Sequence, residues 1–172
     1  YDIENAIGGA GNDTFITKYG EVNVIDGAAG SDTIDYSSLG TAHSIKVNLA
    51  DDGANTTVDI SDTTNDDIIK NIENVTGTGL ADSIYGNNLN NTLKGGAGDD
   101  TFTGGSEIDE LSYISSYSGI TVTLDNGSTA FGTITSATEG TDTLLDHFEK
   151  IRGSNYSDIF TGFNGRAIAG VN

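Results

Sequence analysis

Residues 77–112 read GTGLADSIY, GNNLNNTLK, GGAGDDTFT and GGSEIDELS, four units of nine residues with no insertion between them. Each unit opens with glycine and carries Asp or Asn at its sixth position. The eighth position is apolar in every unit, as Ile84, Leu93, Phe102 and Leu111. One side-chain oxygen and one core residue therefore recur every nine residues. A fixed period of this kind is typical of solenoid folds, in which each repeat packs on its neighbours.

The two parts of each unit predict different structures. The first six residues form a turn, in which glycines adopt backbone angles that other residues resist and direct carbonyl oxygens to one spot. Carbonyls together with the carboxylate at position six suit Ca²⁺, which takes six to eight oxygen ligands. The last three residues form a short strand whose middle side chain points inward. Two units make one coil, so we expect Asp82 to stack on Asp100 and Asn91 on Asp109.

The same pattern occurs outside this run. GGAGNDTFI (8–16) and GAAGSDTID (27–35) lie 19 residues apart, which predicts that Asp13 stacks on Asp32. GSNYSDIFT (153–161) is a further unit, and SDTTNDDII (61–69) and ATEGTDTLL (137–145) are weaker ones. A single cluster of Gly, Asn and Asp is ordinary turn composition. Four units in phase together with these outlying ones make chance an unsatisfactory explanation.

The chain resembles RTX (hemolysin-type) calcium-binding repeat proteins, through GGAGNDTFI, GAAGSDTID and the run at 77–112. YDIENAIGGAGND (1–13) is also similar to the segment that enters the RTX domain of serralysin-type proteases. The resemblance implies an all-β fold, a parallel β-roll or β-helix solenoid with calcium in its turns. It also implies export by the type I secretion system of a Gram-negative bacterium. The predicted metal ligands are the turn glycines and the sixth-position residues: Gly8, Gly9, Gly11, Asp13, Gly27, Gly30, Asp32, Asp66, Gly77, Gly79, Asp82, Asn91, Gly95, Gly96, Gly98, Asp100, Asp109, Asp142 and Asp158.

Composition and charge argue against several classes of partner. The chain has 172 residues, with 26 acidic against 7 basic side chains and a formal charge of −19. This balance argues against nucleic acid and anionic membranes as partners, because both require basic surfaces. There is no cysteine, so a bound metal is expected to take the stapling role of disulfides. The sequence contains no apolar run long enough to predict a transmembrane helix, and no signal peptide is evident. The chain begins with Tyr1, and we expect it to be part of a larger protein.

A longer repeat overlies the short one. The heptads YDIENAI (1–7), KNIENVT (70–76) and DHFEKIR (146–152) share one pattern, and each precedes a glycine. They divide the chain into module 1 (1–69), module 2 (70–145) and a partial module 3 (146–172), within one continuous solenoid. The heptads could be single helical turns, but we expect them to be degenerate coil edges. The reason is that Val75 and Ile151 each lie nine residues before the apolar eighth-position residue of the next unit, Ile84 and Phe160. For 37–60 and 114–136 we expect an outer strand pair or a protruding hairpin.

Folding is predicted to depend on calcium. Small coils bury little apolar surface against the entropy of ordering many glycines. Carboxylates stacked about 5 Å apart, at the spacing of strands in a sheet, repel one another. The chain should therefore be unfolded or molten in low calcium and should fold outside the cell.

No catalytic constellation is evident. His43 is expected in an exposed loop, and His147 is either an acid/base group or metal ligand, or a surface residue of its heptad. The tyrosines could form a strip for stacking on sugars or be half-buried strand residues. The leading hypothesis is a structural calcium-binding spacer or stalk of a secreted or cell-surface protein, which contacts neighbouring repeat modules of the same parent chain. The alternative is an accessory module that binds surface glycans or another ligand.

Overall fold

The computed structural model describes residues 4–20, 22–51, 53–61, 64–124, 131–146 and 148–162. These residues form seventeen strands and a 3-10 turn at Ser37–Leu39. In chain order the strands are β1 (Asn5–Ile7), β2 (Thr14–Ile16), β3 (Val24–Asp26), β4 (Thr33–Asp35), β5 (Ile45–Asn48), β6 (Thr56–Ile60), β7 (Asp67–Lys70), β8 (Asn74–Thr76), β9 (Ser83–Tyr85), β10 (Thr92–Lys94), β11 (Thr101–Thr103), β12 (Glu110–Ser112), β13 (Ile120–Leu124), β14 (Gly132–Ser136), β15 (Gly140–Leu144), β16 (Lys150–Arg152) and β17 (Ile159–Thr161).

The strands form two sheets, and the chain crosses from one to the other in each coil. The short sheet has six parallel strands in the order β16-β12-β10-β8-β4-β2. The long sheet has eleven strands in the order β1-β3-β7-β6-β5-β9-β11-β15-β14-β13-β17. This is the all-β, parallel β-roll architecture that the resemblance to RTX repeat proteins implies. No helix among the described residues is long and apolar enough to cross a membrane.

The predicted core residues line the interior. Leu93 is in register with Val75 and Leu111 on the short sheet, and Phe102 is in register with Ile84 on the long sheet. Leu93, Leu111, Phe102 and Ile84 are all fully buried. The eighth position of each unit therefore forms the ladder of apolar side chains, because a three-residue strand turns only its middle side chain inward.

The two irregular segments lie within the long sheet. Strands β5–β7 and β13–β15 are antiparallel meanders that insert between parallel strands, with β7 beside β3 and β5 beside β9. Val47, Val58, Val122 and Ile134 of these strands are buried. The interspersed extra strands that the sequence predicts are therefore present, but the expectation that they lie outside the roll or protrude from it is wrong, because they are part of the long sheet. The extra strands have apolar inner faces, and burying those faces in the sheet keeps their edges paired.

The heptads are coil edges rather than helical turns. Their final residues form β1, β8 and β16, and Val75 and Ile151 occupy the ladder of the short sheet. His147 lies outside the described residues. His43 is half-buried rather than exposed, because its ring stacks on Tyr19 with centroids 4.0 Å apart.

Candidate metal centre

Two columns of polar side chains run along the coils, and every member lies two residues before a ladder residue. The short-sheet column consists of Asp13, Asp32, Glu73, Asn91, Asp109 and Glu149. The long-sheet column consists of Asn23, Asp67, Asp82, Asp100, Asp142 and Asp158. Since every sixth position precedes its ladder residue by two, the nine-residue period brings one oxygen-bearing side chain per turn to the edge of the roll.

At most steps along the columns, the backbone N–H of one member donates to the side chain of the member on the next coil. Asp13 N donates to Asp32 Oδ1 over 2.7 Å, and Asp82 N donates to Asp100 Oδ1 over 2.8 Å. Asn91 N donates to Asp109 Oδ1 over 2.9 Å. The predicted stacking of these three pairs is confirmed. Each bond satisfies a turn N–H that would otherwise lack a partner, so the columns tie successive coils together.

The turns are of two kinds, which differ in whether the second side-chain oxygen of the sixth-position residue has a hydrogen-bond donor. In closed turns, the N–H of the second residue of the same unit donates to that oxygen. Gly9 N donates to Asp13 Oδ2 over 2.7 Å, and Thr78 N donates to Asp82 Oδ2 over 2.6 Å. In the Asn91 turn, Asn91 Oδ1 accepts the N–H of Asn87, the second residue of that unit, at 2.8 Å. The backbone N–H of Asn91 donates to Asp109, its neighbour in the column. A closed turn therefore uses its own backbone to satisfy the sixth position.

Open turns leave the second oxygen of the carboxylate free. Asp32, Asp100 and Asp109 are each 1 % exposed or less, and among the described residues no group donates to their Oδ2 atoms.

The second residue of each open unit has a left-handed backbone, with φ of 73° at Ala28, 102° at Gly96 and 106° at Gly105. This conformation rotates the N–H of that residue away from the carboxylate. Ala28 N, for example, donates to Asp26 Oδ1 instead. A buried carboxylate oxygen without a donor is costly unless a cation neutralises it, so these three turns fit Ca²⁺.

The first glycine of a unit is required by the carboxylate that folds over it. A Cβ at Gly95 would lie 1.8 Å from Asp100 Oδ2, and a Cβ at Gly77 would lie 2.5 Å from Asp82 Oδ2. At the fourth position, a Cβ at Gly98 would lie 2.5 Å from the backbone of Leu80 on the neighbouring coil. Glycine therefore allows the turns to stack closely enough for carbonyls and carboxylates of adjacent coils to meet.

Burial and mutual repulsion raise the pKa values of these carboxyl groups. Burial, and then the charge of Asp142, raise the pKa of Asp100 to about 9. Burial is also the main cause that raises the pKa of Asp109 to about 6 and that of Asp142 to about 7. The pKa values of Asp82 and Glu73 are raised for the same reason. Calcium must displace these protons on binding, because only the ionised carboxylate is a good ligand.

Two aspartates of the long-sheet column each accept a hydrogen bond from a buried tyrosine hydroxyl. Tyr113 Oη donates to Asp142 Oδ2 over 2.5 Å, while Asp142 Oδ1 accepts the N–H of Asp100. Tyr36 Oη donates to Asp67 Oδ2 over 3.0 Å in the same way. Each pair joins the last strand of a meander to the segment that precedes the meander. The sequence reasoning missed both pairs, although the tyrosine that directly follows both β4 and β12, as Tyr36 and Tyr113, was a signal for them.

The unit predicted at 61–69 has the wrong register. Ile69, not Ile68, is buried in the ladder opposite Ile25, so Asp67 rather than Asp66 lies in the long-sheet column. Asp66 is half-buried, and its Oδ1 accepts the N–H of Ile60. Asp142 lies where the sequence predicts, but both of its oxygens accept hydrogen bonds from protein donors. The metal roles of the individual residues stay predictions.

The other predicted ligands lie in the turns as expected. Asp158 Oδ1 accepts the N–H of Ile120 and the hydroxyl of Ser154. Gly30 approaches Gly11, and Gly79 approaches Gly40. Within the described residues, no three His, Cys, Asp or Glu side chains cluster as a metal-binding group. Each turn supplies one side chain, so a bound calcium would take its remaining ligands from backbone carbonyls.

Comparison with protein families agrees with this geometry. The RTX calcium-binding nonapeptide repeat matches in four copies, over residues 2–18, 19–38 and 76–111. A comparison with curated proteins gives no match. The matched segments include all three open turns and the three closed turns described above. The chain therefore carries RTX calcium-binding nonapeptide repeats, folded as a β-roll.

Proposed function

We propose that this chain is a calcium-binding module of a large secreted or cell-surface protein, which folds on calcium binding after export and then serves as a structural spacer. The observation that carries the proposal is the set of three buried carboxylate oxygens, at Asp32, Asp100 and Asp109, that have no donor among the residues the structure describes. They lie in columns of stacked acidic groups on a chain of charge −19. Without cations, that arrangement opposes folding.

The difference in free calcium between the cytosol and the outside of the cell controls when the chain folds. Extracellular calcium modules bind with dissociation constants of roughly 10⁻⁴–10⁻³ M, far above the free calcium of a cytosol. A chain of this kind stays unfolded where it is made, which suits passage through a type I secretion channel, and it folds on arrival. The same logic supports modules 1–69, 70–145 and 146–172 as successive parts of one solenoid, since both complete modules contain a meander and a Tyr–Asp pair.

Protease resistance tests this proposal. In submicromolar calcium, proteinase K should digest the chain to small peptides, whereas in millimolar calcium a large fragment that contains both sheets should persist. Magnesium at the same concentration should protect poorly, because its rigid octahedral shell resists dehydration. Equal resistance with and without calcium would reject the proposal.

A glycan-binding accessory module is the second candidate, and exposed tyrosines favour it. Tyr117 is 81 % exposed and Tyr156 is 55 % exposed, on loops that meet where Asn155 Nδ2 donates to the carbonyl of Ile114. Aromatic rings in exposed loops suit stacking on sugars. Titration of the calcium-loaded chain with polysaccharides, followed by tyrosine fluorescence, separates the candidates. No change with any glycan favours the spacer.

We propose no catalytic role. The buried carboxylates of the columns accept backbone N–H groups of neighbouring coils, as Asp82 does from Ile45 and Asp100 does from Asp82. Their place between stacked coils explains their burial, and that burial raises the pKa values of Asp82 and Asp100 without any need for a reaction.

A further inference from the structure

We propose that Glu73 and Glu149, which lie outside the matched repeats, complete two calcium sites together with Asp32 and Asp109. The inference rests on the proposed function, because it assumes that the open turns bind calcium. It adds ligands that come from the heptads rather than from the glycine-rich units.

The first pair joins adjacent coils of the short sheet. Asp32 N donates to Glu73 Oε2 over 2.7 Å, and the carbonyl of Asp32 accepts the N–H groups of Glu73 and Asn74 at 3.1 and 2.9 Å. Asp32 is fully buried and its Oδ2 has no donor among the described residues. A heptad glutamate is therefore held beside an aspartate whose second oxygen is free.

The second pair repeats this arrangement in the next module. Asp109 N donates to Glu149 Oε2 over 3.0 Å, and the carbonyl of Asp109 accepts the N–H of Lys150 over 3.0 Å. Asp109 Oδ2 is also buried and without a donor in the described part of the chain. In contrast, Asp13 and Asn91 belong to closed turns. The next member of the column after each of them is an aspartate, Asp32 or Asp109, and not a glutamate. In the short-sheet column, an open aspartate thus coincides with a glutamate on the next coil.

The heptad sequences explain why glutamate stands there. KNIENVT and DHFEKIR contain no glycine, so their backbone cannot form the tight turn that brings an aspartate into the column. A side chain longer by one methylene reaches the same N–H from a wider turn. Its carboxylate carries a second oxygen that is not used in that hydrogen bond.

The nearby basic residues do not neutralise either pair. Lys70 forms an ion pair with Asp26 at 2.9 Å, and Lys150 forms one with Glu110 at 2.6 Å. Among the described residues, neither Glu73 nor Glu149 forms an ion pair. In the part of the chain that the structure describes, two neighbouring carboxylates with one buried, unpartnered oxygen therefore lack a positive charge. Calcium supplies one, since it accepts several carboxylate oxygens in flexible geometry.

The test uses Glu73→Gln and Glu149→Gln with Glu4→Gln as control. Glutamine keeps the oxygen that accepts the aspartate N–H but removes the charge, so it separates a ligand from a mere cap. Glu4 holds the same heptad position, but it precedes β1 of the long sheet, whereas Glu73 and Glu149 precede β8 and β16 of the short sheet. Calcium bound per chain is measured by competition with a chromophoric chelator, and folding is followed by circular dichroism.

We expect each single variant either to bind one calcium fewer or to bind one calcium about tenfold or more weakly, the scale on which an altered ligand shell changes metal affinity. The double variant should lose both sites, and Glu4→Gln should match wild type. In chelator, the Gln variants should be folded at least as well as wild type.

Three outcomes separate the claims. A wild-type chain that binds no calcium rejects the proposed function itself. A wild-type chain that binds calcium, with Gln variants of identical stoichiometry and midpoint, overturns this inference alone. If Glu73→Gln does not fold at any calcium concentration, Glu149→Gln decides, because it alters the equivalent pair with Asp109. One calcium lost or weakened in that variant supports the inference, and wild-type stoichiometry and midpoint overturn it.

Discussion

Replacing Asp100 by Asn should stabilise the calcium-free fold and weaken its response to calcium. Asp100 is 1 % exposed, and its pKa in the fold is about 9 against an ordinary value of 3.8. At pH 7 the calcium-free fold must therefore hold this carboxyl protonated. That proton uptake costs about 4 kcal/mol, at about 1.36 kcal/mol for each pH unit above 3.8. Asparagine is neutral and avoids this cost.

The net gain is smaller, because the amide introduces a buried donor without a partner. Leaving such a group unsatisfied costs about 1–3 kcal/mol, so the net stabilisation in chelator is about 1–3 kcal/mol. Calcium acts in the opposite direction. At a calcium concentration of about 100 times Kd, a single site stabilises the fold by about 2.7 kcal/mol, and the Asn variant should lose this contribution.

Asp82→Asn is the matched control in the same column. Asp82 belongs to a closed turn, and its oxygens accept Thr78 N, the Thr78 hydroxyl and Ile45 N. Either orientation of an amide there places an NH₂ group against a donor. Asp82→Asn should therefore be less stable than wild type in chelator as well as in calcium, by about 1–3 kcal/mol.

The assay is urea unfolding followed by far-UV circular dichroism, in chelator and in calcium. An excluded osmolyte such as trimethylamine N-oxide brings the chelated protein into the measurable range. The reasoning is refuted if Asp100→Asn is less stable than wild type in chelator, or if calcium stabilises it as much as wild type.

Three further predictions concern other parts of the roll. Tyr113→Phe leaves Asp142 Oδ2 buried without its donor and should lower the free energy of unfolding in urea by about 1–3 kcal/mol; an unchanged value would mean that this hydrogen bond adds no net stability. Glu107→Gly relieves a left-handed residue at φ 72° and should raise the free energy of unfolding by about 1 kcal/mol, whereas a lower melting temperature would contradict the assignment of strain there. In chelator, lowering the pH from about 9 to about 5 should increase the folded fraction seen by circular dichroism, since carboxyl groups with raised pKa values contribute stability at low pH that is lost as the pH rises through those values. The groups concerned are Asp100 at about 9, Asp142 at about 7 and Asp109 at about 6. A folded fraction that falls on acidification would contradict the burial of these carboxyl groups.

The regular part of the fold follows from the sequence because a period fixes register. Once Ile84, Leu93, Phe102 and Leu111 are aligned at nine residues, the strands, the ladder and the stacked acidic residues have no freedom to shift. The irregular units lack this constraint. DDII at 66–69 offers two aspartates and two isoleucines one residue apart, and only the sheet, in which Ile69 lies opposite Ile25, decides between them.

The placement of the meanders and the two kinds of turn depend on contacts that the sequence does not encode locally. Whether β5–β7 projects or inserts is decided by the buried pairing of β7 with β3 and of β5 with β9. The open turn at Asp32 needs a left-handed residue, and Ala28 adopts that conformation although alanine does not favour it. A glycine pattern alone therefore identifies calcium-binding turns as a class, but not which of them leave an oxygen free.

Counting bound calcium while following folding in the same sample tests the central claim most directly. The chelated chain is titrated with calcium, and circular dichroism and free calcium are recorded at each step. We predict a coil-like spectrum at the start, a cooperative gain of β-structure in the millimolar range, and uptake of several ions over the same range. A chelated chain that already has the full β-spectrum, or one that gains structure without taking up calcium, would contradict the account.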